Sequence, residues 1–379
     1  MNLKYKKYKF LFLGCSSIQT NASLFRALLA RYLVEYGHEV HILLEDDPAN
    51  RQWVAKNLPG VYEHYQSRYA SWQDLKSYLV ERRQLIDTIQ PDFVHLLAIG
   101  WKNLFTIPLK THKISSPTYI ADFDELYSAK ASSLWQKLLY RYIENRALQL
   151  SNRVICASKF LVNYFSKTHK GSQKILYLPY AYSQNFFNNG EIEIQKVKTE
   201  YKFRKILVYM GTLSKEYQSH QVLELAERMQ SKRDQIVFLL IGGGSELKLT
   251  KEWVLEKCLE DFVYVVGYLP PNEIMYSHLM AADVLLFPIQ NSIPNQARCP
   301  NKTFQYIGAN RPIVTNRVGE VEEALGNYGY YYDFNNLESF EKAVLSALSD
   351  SESYDASSLL PLHTWEKRCL DYLKWLSET

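Results

Sequence analysis

Several absences narrow this sequence before any motif is read. No apolar run approaches the roughly 18 residues that a membrane-spanning helix needs, so no stretch is expected to cross a bilayer as a helix. The N-terminus, MNLKYKKYKFLFLG, is basic and then apolar, but Phe10 to Leu13 is shorter than a secretory-signal core and is expected to be the first strand. The five cysteines, Cys15, Cys156, Cys258, Cys299 and Cys369, are scattered with no Cys-x-x-Cys pair. That disfavours structural zinc and a disulfide framework, and fits a reducing cytoplasm. There is no internal repeat and no low-complexity segment. Nor is there a dense basic block, and no nucleic-acid partner is expected.

What is present suits a two-domain globular enzyme or binding protein. A chain of 379 residues exceeds one ordinary core, and 47% hydrophobic residues suffice for two. The net charge of +4 conceals an asymmetry: residues 1–190 hold 24 Lys and Arg against 14 Asp and Glu, and residues 191–379 hold 20 against 26. A basic first half would attract an anionic acceptor or, through a peripheral contact, an anionic membrane surface. A diffuse solvated surface is the plainer account. The 29 tyrosines, many beside lysine, fit interfacial contact or a compositional habit equally well.

The first half alternates strand and helix patterns. Strands are expected over Tyr8 to Gly14, Glu39 to Leu44, Phe93 to Ala98, Pro117 to Ala121, Arg153 to Ala157 and Ile175 to Leu178. Helices are expected over Ala22 to Tyr36, with Leu24, Leu28, Leu29 and Leu33 on one face and Gly37 as its stop, over Ser71 to Gln90, and over Leu134 to Leu150. Asn21 reads as the first helix's N-cap. A second series runs through strands Ile206 to Met210, Ile236 to Ile241, Phe262 to Val266, Val284 to Phe287 and Ile313 to Thr315, with a helix over Gln221 to Gln230. The expected architecture is therefore α/β, with two tandem Rossmann-like doubly wound domains and a cleft between them. Residues 1–185 form the first domain, joined by a C-terminal helix within 360–379. Residues 186–205 form the linker and 206–359 the second domain.

One loop stands out. After strand Val284 to Phe287 comes a polar segment with Arg298, Pro300 and Lys302, then a short helix expected over Thr303 to Ala309. Open α/β sheets bind ligands at the carboxyl ends of strands, and two cations near a helix N-terminus suit an anion. The loop reads as a phosphate site, against two ordinary surface cations.

Five pieces in order then resemble the retaining, family 4-like group of GT-B glycosyltransferases. They are Tyr209-Met-Gly-Thr-Leu213, Leu240-Ile-Gly-Gly-Gly-Ser-Glu246, Val265-Val-Gly-Tyr268, Ala281-Ala-Asp-Val-Leu-Leu-Phe-Pro288, and Cys299-Pro-Asn-Lys-Thr-Phe-Gln-Tyr306 followed by Pro312-Ile-Val-Thr315. The first half matches more loosely, at Gly37-His-Glu-Val40, Asp92-Phe-Val-His95 and Ser151-Asn-Arg-Val-Ile-Cys-Ala-Ser158. The resemblance implies sugar transfer with retention from a nucleotide-diphosphate sugar, a UDP-sugar by preference, to a polysaccharide or lipid-linked glycan. It implies no cofactor and no metal, with cations and helix N-termini stabilising the leaving diphosphate. On it, Arg298, Lys302 and Thr303 meet the diphosphate. Gly211, Gly242 and Gly244 let backbone approach the donor, Gly267 and Tyr268 face the base, and Gln305 holds the ribose.

The sequence departs from that pattern where the usual Arg and Lys are replaced by Thr212 and Tyr217, with Lys215 as a stand-in. Gln305 stands where a glutamate is usual and Ala297 where its partner glutamate would fall, so the chain looks closest to a variant with a Pro-x-Lys motif. The catalytic candidates are Asp122, Asp124 and His95. Asp122-Phe-Asp124 also reads as a metal motif, or as an N-cap and solvated turn. A GT-B protein that binds a nucleotide sugar or partner enzyme without catalysis, motivated by Thr212, Tyr217 and Gln305, is the first alternative. A nucleotide-sugar epimerase is the second.

Overall fold

A computed structural model describes residues 6–14, 16–18, 22–68, 74–108, 117–168, 174–187, 191–270 and 273–378. Cys15, the cap expected at Asn21 and positions 71–73 of the second expected helix lie outside the described residues. The chain divides into two compact units. One comprises Met1–Tyr180, Ala297–Cys299 and Trp365–Thr379; the other comprises Ala181–Gln296 and Pro300–Thr364. Among the described residues, no helix is long and apolar enough to cross a membrane.

The first unit holds a seven-stranded sheet of order β3-β2-β1-β4-β5-β6-β7, every pair parallel. Its strands are β1 (Lys9–Leu13), β2 (Glu39–Glu45), β3 (Tyr62–Gln66), β4 (Phe93–Leu96), β5 (Thr118–Phe123), β6 (Arg153–Cys156) and β7 (Lys174–Tyr177). β1, β4 and β5 are nearly continuous apolar runs because helices cover both faces of a parallel sheet. Edge strand β3, sequence YEHYQ, is largely polar and escapes a hydrophobicity reading. Residues Ala22 to Tyr36 split into a 3-10 stretch, Ala22–Ala27, and an α-helix, Leu28–Glu35, ended by Gly37 at φ +84°. The C-terminal helix Trp365–Ser377 packs against Leu28–Glu35.

Helix Leu134–Leu150 has the predicted bounds and is capped by Ser133, whose Oγ accepts the Gln136 N–H at 3.2 Å. Its fully buried anchors lie in its second half, and Tyr140 packs against the same core from the first. Ile143, Ala147 and Leu148 join the core of Leu11, Val94, Leu96, Phe123 and Val154. Each fully buried Ile, Leu, Val or Phe among these contributes about 1.5–3 kcal/mol.

The second unit holds a six-stranded parallel sheet of order β10-β9-β8-β11-β12-β13. Its strands are β8 (Lys205–Met210), β9 (Ile236–Ile241), β10 (Val263–Gly267), β11 (Val284–Phe287), β12 (Ile313–Thr315) and β13 (Gly329–Tyr331). Leu207, Phe238, Leu240, Leu286 and Val314 form its core with Val222 and Val344 from flanking helices. Within 186–205, expected to link the domains, Glu191–Glu200 is a helix and counts with the second unit. Its burial rests on Val197, which explains why the stretch looked apolar-poor.

Candidate functional site

Strand order reverses between β8 and β11 in the second sheet, leaving a crevice at their carboxyl ends. The helix after Pro300 is fixed there. It runs Asn301–Ala309, starting two residues before the expected Thr303, so Lys302 lies in its first turn and not in the preceding loop. The shift has a physical reason: Pro300 adopts the extended N-cap conformation (φ −70°, ψ 121°) and caps nothing with its side chain. Tyr306 pins the helix to both strands. Its hydroxyl accepts the Met210 N–H at 2.8 Å and donates to the Leu286 carbonyl at 3.3 Å.

Lys302 Nζ donates to the Met210 carbonyl at 3.2 Å and lies 4.7 Å and 4.3 Å from the ring centres of Tyr209 and Phe287. A cation in a helix's first turn opposes the helix dipole by about 0.3–1 kcal/mol. Two ring faces, each worth about 0.5–1 kcal/mol or more, offset that. Positive charge and the donors of a helix start are thus gathered at one point, the requirement for an anion. Thr303 is fully buried, and its Oγ1 has no hydrogen-bond partner among the described residues. Gln305 is half-buried and its Nε2 donates to the Tyr276 hydroxyl at 3.3 Å. Burial pushes that hydroxyl up to about 12, with the Gln305 bond acting the other way, so it stays protonated.

The glycines around this crevice serve close backbone packing. A Cβ on Gly242 (φ +149°) would lie 1.8 Å from the Gly211 carbonyl oxygen, and one on Gly244 (φ +144°) 2.5 Å from that of Leu213. A Cβ on Gly211 would lie 2.8 Å from Lys302 Nζ. Gly267 is glycine for its φ of +86°. The loops are laced together by Gly211 N–H to Ile241 O (2.9 Å), Leu213 N–H to Gly243 O (2.8 Å), Gly242 N–H to Gly267 O (2.8 Å) and Glu246 N–H to Leu213 O (3.0 Å). Tyr268, 65% exposed, and the exposed Lys215 border these loops.

In the first unit, His95 and Asp122 meet, and Arg26 joins them. Asp122 Oδ2 accepts from Arg26 Nε at 2.8 Å and lies 3.1 Å from His95 Nε2. All three are buried. Burial alone would raise the Asp122 carboxyl, but Arg26 and the His95 bond outweigh it and the group sits below its ordinary range. Burial pushes His95 down, against the pull of Asp122, so the imidazole stays neutral. Its Nδ1 lies 3.3 Å from the Tyr372 hydroxyl. Arg26 also donates to the Pro179 carbonyl at 3.2 Å and stacks 4.7 Å from the Tyr180 ring.

β5 runs through Phe123, two residues beyond its expected end, so Asp122 lies inside the strand and only Asp124 follows it. Asp124 is half-buried and accepts from the Tyr127 hydroxyl at 3.1 Å. Among the described residues, no group of three side chains suited to a metal forms. Sequence reasoning missed Arg26. Its signal was a cation three and seven residues before Leu29 and Leu33, on the helix's apolar face. Arg298, half-buried, belongs to Ala297–Cys299 and counts with the first unit, whereas Lys302 counts with the second. Ala297 accepts from Ser158 Oγ at 2.6 Å, and the Cys299 sulfur accepts the Tyr180 N–H at 3.4 Å.

Two family models divide the chain: Glycosyltransferase Family 4 matches residues 27–179, and Glycosyl transferases group 1 matches residues 191–358. The chain is a GT-B glycosyltransferase. Solved structures share the fold of this glycosyltransferase at low identity. HepE of Anabaena, in complex with UDP and glucose, is 14% identical with a TM-score of 0.76, covering 98% of this chain and 100% of its own. Sucrose-phosphate synthase of Thermosynechococcus elongatus is 14% identical with a TM-score of 0.76, covering 98% of each chain. A glycosyltransferase of Rickettsia africae is 13% identical with a TM-score of 0.74, covering 99% and 100%. None of the curated proteins matches the sequence of the glycosyltransferase.

Proposed function

We propose that this glycosyltransferase moves a sugar, with retention, from a nucleotide-diphosphate sugar to a hydroxyl of a polysaccharide or lipid-linked glycan. The observation that carries the donor half is Lys302 held in the first turn of Asn301–Ala309 at the reversal of the second sheet. In this reading Lys302, the helix's first N–H groups and the Thr303 hydroxyl bind the diphosphate. Gln305 bonds the ribose, Gly267 and Tyr268 border the base, and the Gly211, Gly242 and Gly244 loops shape the floor. Lys215 and Arg298 are additional phosphate contacts, and Asp122, Asp124 and His95 remain the first unit's candidates for the reacting sugar. HepE, described in complex with UDP and glucose, supports UDP as the base-bearing group. No cofactor or metal is invoked, and the enzyme works in the cytoplasm or at its membrane face.

A thermal-shift panel of UDP-, GDP- and ADP-sugars tests the donor reading, because a ligand of the native state raises the melting temperature. A UDP-sugar should raise it, and Lys302→Ala should abolish the rise. A panel with no rise, or the same rise in Lys302→Ala, overturns the site. The anomeric proton of the product, read by NMR, decides retention.

A further inference from the structure

Helix Leu134–Leu150 exposes a face unlike any expected of a solvated helix. Leu134, Trp135, Leu138, Leu139 and Tyr142 are 71%, 82%, 47%, 56% and 61% exposed. Their spacing of i, i+1, i+4, i+5 and i+8 lays them along one stripe of about 12 Å. The other exposed side chains of the helix are Gln136, Lys137, Arg141, Asn145 and Gln149. Its one carboxylate, Glu144, is turned inward, buried, and accepts the Ser128 N–H at 2.9 Å. The outward surface is therefore leucine, tryptophan, tyrosine, neutral amides and positive charge, without an acid.

We propose that this stripe is a docking surface for an anionic lipid bilayer. Large apolar patches on soluble units mark contact sites. Trp and Tyr favour the boundary between acyl chains and water, where one end of the side chain is wet. Lys137 and Arg141 beside them suit phosphate headgroups, as does the excess of cations over residues 1–190. A second copy of the chain is the weaker occupant, because a self-complementary pairing would press the same cations against each other. Docking stands independently of donor chemistry; only its link to a lipid-linked acceptor rests on the function proposed above.

The test is co-sedimentation of the full chain with phosphatidylcholine vesicles, with and without phosphatidylglycerol, at low and high salt. The wild type should partition onto the anionic vesicles on the order of tenfold better than onto neutral ones, and high salt should weaken this. W135S/L139S and K137Q/R141Q should each lower partitioning on the order of tenfold. Both should keep the wild-type melting temperature and nucleotide-sugar shift, since the substituted side chains are exposed. Equal binding to neutral and anionic vesicles overturns the proposal, as does wild-type binding by both variants. A dimer in light scattering that W135S/L139S converts to monomer, with vesicle binding unchanged, reassigns the face to a second copy.

Discussion

Where strand order reverses, the two sheets treat charge in opposite ways. In the first, Arg26, Asp122 and His95 are buried, with Asp122 bonded to both of the others. In the second, Lys302 is half-buried at the positive end of a helix, and its contacts include the Met210 carbonyl and the ring faces of Tyr209 and Phe287. Removing either member of a buried cation–carboxylate pair leaves the other charge uncompensated. In the reading proposed above, the cation beside rings and a carbonyl is the one that meets an arriving anion. The same sheet topology thus supplies a buried knot of charge in one unit and, in the proposed reading, a binding point in the other.

The sharpest way to break this comparison is to remove one partner of the knot. Arg26→Leu strands Asp122 as an unpaired buried charge, and the first unit should lose about 3–5 kcal/mol in urea unfolding. The double change R26M/D122L should recover most of that. Wild-type stability in Arg26→Leu would break the comparison at its first term.

The second term rests on Lys302→Ala, which should cut turnover on the order of 10²–10³-fold while the fold survives. Steady-state kinetics beside a melting curve separate the two effects. A variant that melts early and turns over normally would make Lys302 another structural cation.

Acid should act on the first unit. Burial depresses His38 and His64, and His95 through burial offset in part by Asp122. Below about pH 6.5 the unfolded chain takes up protons that these folded groups refuse, so stability falls with pH. The slope is about 1.4 kcal/mol per pH unit for each fully depressed histidine, less for the half-buried His64. The Asp122 carboxyl, depressed when folded, contributes above its unfolded value and is lost only at much lower pH. Calorimetry at pH 7.5 and 5.5 should show the loss, and His95→Asn should flatten it. The smallest effect is expected from Gln305→Glu. A carboxylate bonds ribose hydroxyls more strongly, and Tyr276, with its hydroxyl protonated, can donate to it. Donor affinity should tighten about threefold by titration calorimetry.

Central strands such as β9, IVFLLI, announce themselves because both faces are buried and nothing polar interrupts them. Edge strands β3 and β13 were illegible for the opposite reason: each is short, partly exposed and tyrosine-rich. The segment proposed as an anion site could be singled out because Pro300, Lys302 and Gln305 lie close together in sequence. The Arg26–Asp122 pair could not, since its members are 96 positions apart and only folding introduces them. Glycine roles were legible as a need for close approach, but not whether the neighbour would be ligand or backbone. For Gly242 it is the Gly211 carbonyl.

That glycine packing has a kinetic consequence. Loop amides ordinarily exchange their hydrogens with water almost at once, yet those of Gly211, Leu213, Gly242 and Glu246 are tied to carbonyls of neighbouring segments. The rim of the second sheet therefore extends past its strands as a rigid ledge. A ligand landing there meets a surface already set, and forfeits little entropy in ordering it.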